Sequence, residues 1–141
     1  MMEGKWIGKY TYGEGYTDNS KGKSISFELD LTSNGVEFNG IFTDEETKNI
    51  FNEPGMVENG FLENTTISFT KKYPCLWGEN ETGEIEVYED LQSHVIYYSG
   101  NLINGSFEGH WEILRFLVDE NGPYTETDGS GTWMMNKIDR S

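Results

Sequence analysis

The feature that most constrains this chain is a strict alternation of apolar and polar side chains. In Ser24-Ile25-Ser26-Phe27-Glu28-Leu29-Asp30-Leu31 every odd position is apolar and every even position polar. Successive side chains of an extended backbone point to opposite sides, so a period of two marks a strand with one buried and one wetted face. Val36, Phe38 and, after Gly40, Phe42 continue the pattern beyond Ser33-Asn34-Gly35, where glycine tolerates the positive φ of a tight reversal. These two runs read as a hairpin. Residues 55–62 and 65–71 read as another, with Ile67 and Phe69 opposed to Thr66, Ser68 and Thr70. Residues 5–12, 83–89, 94–99, 107–116 and 131–138 add further strands. The pattern predicts an all-β fold of about eight to ten antiparallel strands, with residues 1–141 forming one domain. The least sheet-like stretches are 43–54, expected to hold a helical turn over 44–48 that covers one end of a barrel, and 119–130, expected to be a long polar loop.

An aromatic, a spacer, a glycine, a spacer and a second aromatic recur at Trp6-Gly8-Tyr10, Phe38-Gly40-Phe42 and Phe107-Gly109-Trp111. Glycine inside a strand costs about 0.5–1 kcal/mol, so such placements mark a bend or a site where a large neighbour lies across the backbone. Strong curvature lets a sheet of many strands close, and closure removes exposed edges. The reading is an antiparallel β-barrel. A β-sandwich gives the same alternation and turn spacing and stays the alternative.

The chain carries 25 acidic against 10 basic side chains, a formal charge of −15. No run of Lys and Arg is present to neutralise phosphates, so nucleic acid is not an expected partner and an anionic membrane surface is disfavoured. No stretch approaches the roughly 20 apolar residues of a membrane-spanning helix. Residues 1–6 contain no apolar leader, and the expected location is the cytoplasm. The single Cys75 allows no internal disulfide and no multi-cysteine zinc site, and its neighbours Leu76 and Trp77 point to a packed thiol. Lys71-Lys72 is the only adjacent basic pair, while Arg115 and Lys137, near strand ends, are the candidates to offset the charge of an anionic ligand.

His110 lies between Gly109 and Trp111 and shares a strand face with Glu108 and Glu112. Flanking carboxylates would raise the imidazole pKa, as in a general base, yet the same pattern describes a solvated outer face. The spacing of His, Cys and carboxylates supports no metal site, and no nucleophile elbow, phosphate loop or dinucleotide fingerprint is present, so no cofactor is assigned. The aromatic residues carry the stronger functional reading. Trp6, Tyr10, Phe38, Phe107, Trp111 and Trp133 are expected to line the barrel interior and to stack on a flat or apolar ligand. The same rings would equally fill a solid core. Interior polar groups separate the two readings, because a packed core holds few of them and a binding site has several converging.

Gly4-x-Trp6 with Gly8 just after it, a meander of hairpins and a late Gly131-x-Trp133 resemble the calycin-like small β-barrels, the group of lipocalins, fatty-acid-binding proteins, avidins and nitrobindin-like domains. That resemblance implies a ligand-holding barrel in which Gly4 and Trp6 are packing residues and the tryptophan plugs one end. The chain departs from secreted lipocalins in having neither a signal peptide nor paired cysteines. It also has no basic pair matched with tyrosine to hold a fatty-acid carboxylate, and neither His94 nor His110 sits in a motif for a nitrobindin-like heme site. The expected function is non-enzymatic binding of a small apolar or aromatic molecule inside the barrel. The alternatives are an interaction or structural module with a filled core, in which oligomers are allowed, and a small-barrel enzyme using His110.

Overall fold

The computed structural model describes residues 2–13, 21–79 and 82–138. Within them the alternating segments form β1 (Gly4–Tyr12), β2 (Ser24–Asn34), β3 (Glu37–Asp44), β4 (Gly55–Glu63), β5 (Thr66–Lys72), β6 (Leu76–Glu79), β7 (Ile85–Tyr88), β8 (Val95–Ile103), β9 (Ser106–Asp119) and β10 (Gly122–Lys137). Eight of these strands close into an antiparallel barrel in the order β1-β10-β9-β8-β5-β4-β3-β2, and β6 pairs with β7 in a separate hairpin. β1 closes the sheet, pairing with β2 on one side and with β10 on the other. The layout is therefore a barrel rather than a sandwich, and its meander is that of calycin-type barrels.

Turn chemistry explains the hairpins. Between Ile103 and Ser106 the chain reverses through Asn104 and Gly105, both at positive φ (51° and 88°), the backbone that matches the twist of paired strands. The stretch 119–130, expected as a loop, is instead mostly strand: β10 begins at Gly122 and pairs with β9 from Gly122↔Asp119 to Thr127↔Leu114. The physical reason is that, among the described residues, β9 leaves β8 after Ile113 and β10 joins β1 only from Gly131 onward, so this outer ribbon pairs only with itself. Residues 123–128 of β10 are exposed, and strand residues that face no core need no apolar alternation. Val118 on β9 is 80% exposed.

Inward-facing residues form a continuous core. Ile25, Phe27, Leu29 and Leu31 of β2 are all buried, in the register read from their alternation. Trp6 packs near the barrel end where β1 begins, its indole N–H donating to the Met2 carbonyl at 2.8 Å and its ring 5.6 Å from Phe107. The in-strand glycines provide room. A Cβ at Gly8 would lie 2.7 Å from the Phe27 ring, and one at Gly109 would lie 1.9 Å from the Ser99 carbonyl oxygen.

At the other end the segment between β3 and β4 folds over the barrel. Lys48 N–H donates to the Asp44 carbonyl at 2.9 Å and Phe51 N–H to the Thr47 carbonyl at 3.1 Å, the bonding of a helical turn where one was expected. Among the described residues no helix is long and apolar enough to cross a membrane.

Candidate functional site

The capped end of the barrel concentrates the buried polar groups. On β5 the inward positions run Ile67, Phe69, Lys71, so the same alternation that buries two apolar side chains also buries an amine. Lys71 is 1% exposed. Its Nζ donates to the Tyr98 hydroxyl at 3.1 Å and lies 3.7 Å from the Phe27 ring centre, 4.4 Å from Tyr98, 4.9 Å from Phe42 and 5.4 Å from Tyr10. Ring faces favour an ammonium, whereas loss of water disfavours it. Burial wins here, pushing the amine down to about 7 even though the Asp44 carboxylate pulls the other way.

On β3 the inward row Phe38, Phe42, Asp44 ends in a carboxylate that is 2% exposed. Asp44 Oδ1 accepts the Thr47 N–H and hydroxyl, each at 2.7 Å, and Oδ2 accepts the Tyr73 hydroxyl at 2.7 Å. The aspartate thus starts the helical turn as an N-cap and ties it to the end of β5. Within the turn, Glu46 Oε1 accepts the Tyr10 hydroxyl at 3.0 Å and also that of Tyr12. Burial holds the Glu46 carboxyl above its ordinary value, with the two tyrosine hydrogen bonds opposing. Tyr10 and Tyr73 are raised by burial first and by neighbouring charge second, so both phenols stay protonated as donors. Among the described residues every fully buried side-chain nitrogen and oxygen has a hydrogen-bond partner.

Two spaces border this cluster. A cavity of about 220 Å³ is lined by Phe42, Thr47, Phe51 and Tyr73 among others. A groove of about 550 Å³ runs past Ile7, Phe27, Asp44, Lys48 and Met134. Each shares one ring with the Lys71 enclosure: Phe42 in the cavity, Phe27 in the groove.

The six aromatic residues expected to line the interior, Trp6, Tyr10, Phe38, Phe107, Trp111 and Trp133, are all buried in one core cluster. They do not converge on one point. Trp6 and Phe107 pack on each other at 5.6 Å, and Phe38 and Trp133 pack on Phe69 at 5.9 and 5.5 Å. Trp111 meets Tyr10 edge-on at 6.2 Å, and Tyr10 hydrogen-bonds into the polar cluster through Glu46. His110 is exposed on β9, and its carbonyl accepts the Trp133 indole N–H at 3.0 Å. His94 and Lys137 are likewise exposed, while the side chain of Arg115 lies outside the described residues.

Lys71, Asp44, Glu46 and Tyr73 were not among the site residues expected from sequence. The signal for two of them was present: extending the odd-numbered face of Ile67 and Phe69 reaches Lys71, and extending the even-numbered face of Phe38 and Phe42 reaches Asp44. No family model, curated protein or solved structure matches the chain.

Proposed function

We propose that the barrel binds a small, mainly apolar or aromatic molecule at its capped end, where rings supply contact area and the polar cluster sets orientation. The observation that carries this reading is the convergence of an amine, two carboxylates and four tyrosines inside an otherwise aromatic interior. Apolar residues of similar volume commonly replace buried ionic groups with no loss of stability, or with a gain of about 1–4 kcal/mol. Asp44 and Glu46 also hold the covering turn, but Lys71 makes no such structural tie, and a core whose sole task is to hold the barrel together has no need of a buried amine. An apolar pocket with a few converging polar groups of shifted pKa is the usual form of a binding site. The formal charge of −15 favours a neutral ligand over an anion.

The test is a backbone-amide NMR titration of the full chain with benzyl alcohol, a neutral ring small enough for the 220 Å³ cavity. Saturable shifts centred on Phe42, Thr47, Phe51 and Tyr73 are expected. Shifts absent at saturating alcohol, or scattered over the outer strand faces, would overturn the reading.

A second reading, an interaction module, draws on the β6–β7 hairpin, where Ile85, Val87, Tyr88 and the nearby Leu91 are all exposed. Replacing these four by serine is expected to abolish any self-association seen by sedimentation. An unchanged association state would remove that support.

A further inference from the structure

We propose that Lys71 captures small aromatic or conjugated aldehydes as an imine within the capped end of the barrel. This rests on the small-molecule reading above and deepens it by naming the ligand class and the bond formed. The geometry has three parts. An amine stands inside a wall of four rings, as a nucleophilic lysine in a dry pocket requires. The Tyr98 hydroxyl, 3.1 Å from Nζ, is placed to exchange a proton with the adduct. Phe42 lines the cavity of about 220 Å³ and its ring centre stands 4.9 Å from Nζ, so capture requires this ring to swing aside.

The step balances without a redox partner. The Nζ lone pair adds to the carbonyl carbon, and the proton lost from nitrogen ends on the former carbonyl oxygen, giving a carbinolamine. Protonation of that hydroxyl and departure of water leave the C=N bond, so one aldehyde and one amine give one imine and one water. Exclusion of bulk water by the surrounding rings slows the reverse hydrolysis. A neutral aldehyde fits better than an anionic carbonyl compound, since the chain carries a formal charge of −15. Burial also keeps the amine near 7, leaving much of it unprotonated at neutral pH.

The full chain is incubated at neutral pH with benzaldehyde and sodium cyanoborohydride, digested and mapped by mass spectrometry, with the benzyl alcohol titration run in parallel. One benzyl group at Lys71 is expected. An exposed lysine at neutral pH is unprotonated in only about one molecule in a few thousand, so labelling at Lys71 should be at least about tenfold faster than at Lys72 or Lys48 even after hindered entry. Lys71→Met should remove the fast label. As a check that needs no variant, excess benzyl alcohol should slow labelling at Lys71 and leave the exposed Lys5, which lines neither space, unchanged. Benzyl alcohol binding with no preferential label at Lys71 would overturn capture and leave the binding reading standing. If neither the alcohol nor the aldehyde engages the capped end, both fall.

Discussion

Replacing Lys71 by methionine should flatten the dependence of stability on alkaline pH. The folded amine is held near 7, against 10.5 for a lysine in water. Between those values the unfolded chain keeps a proton that the folded chain has released, so stability must rise with pH across that window. Every tenfold loss of proton affinity corresponds to about 1.4 kcal/mol, which makes the full change on the order of 5 kcal/mol. Between about pH 7 and about pH 9 the wild-type chain should therefore gain about 2 kcal/mol from this group. The assay is urea unfolding followed by tryptophan fluorescence, since Trp6, Trp111 and Trp133 are buried in the core. Lys71→Met keeps most of the unbranched stem and removes the titration, while the remaining groups titrate alike in both proteins. The difference between the two curves isolates the amine. Measurements stop near pH 9 because the raised phenols of Tyr10 and Tyr73 act oppositely, costing stability once the unfolded tyrosines release protons at about 10. Parallel curves for the two proteins would refute the reasoning: they would mean that the ring faces and Asp44 fully replace water around the ammonium.

Glu46→Ala should cost about 1–3 kcal/mol in the same unfolding assay, because it removes the acceptor for two tyrosine hydroxyls. Glu46→Gln, which keeps an acceptor oxygen, should cost clearly less. The raised Glu46 carboxyl favours folding most fully below its ordinary value and loses that contribution as pH rises through the folded value, so the glutamine variant should lack this acid-side gain. Gly109→Ala places a methyl 1.9 Å from the Ser99 carbonyl oxygen and should destabilise by about 1–3 kcal/mol or more, whereas Gly78→Ala meets nothing within 4 Å and should stay within about 0.5 kcal/mol. Trp133→Ala should cost about 3–5 kcal/mol by opening a cavity and stranding the Ser99 and His110 carbonyls, each now accepting the indole N–H. His110→Ala, at an exposed imidazole, should change the unfolding midpoint little, within about 0.5 kcal/mol.

The barrel was legible wherever a strand has one wet face. Ile25, Phe27, Leu29 and Leu31 announce their side of β2, and the in-strand glycines mark close approaches that the structure contains at Gly8 and Gly109. The β10 half of the outer ribbon was not legible, because residues 123–128 are exposed on both faces and so are free of the pattern a core imposes. The capped end was missed for another reason. Period-two reasoning assigns a face to each position but classes lysine and aspartate as outward by type, and that habit outweighed the register at Lys71 and Asp44. The partner of Lys71 lies far away in sequence, Tyr98 being 27 residues off, and of the partners of Asp44 Thr47 is three residues away but Tyr73 is 29. No local window contains both members of the Lys71–Tyr98 or Asp44–Tyr73 pair. Glu46 is placed by the capping turn and has no strand periodicity to reveal it.

The seam between β1 and β10 bears on biosynthesis. Trp6 stands opposite Lys137 in that seam, so the barrel joins segments from nearly opposite ends of the described chain. During synthesis, β1 leaves the ribosome early and finds β2 on one side, but its other edge has no partner until β10 follows. Every intermediate length before that point is an open, curved sheet with two unsatisfied edges, the form most prone to pair with another nascent chain. Closure is thus a late, long-range event, which makes folding slow for a protein of this size. A chain truncated before β10 would retain most of the core residues and still expose both edges, and aggregation rather than simple loss of stability is its expected fate.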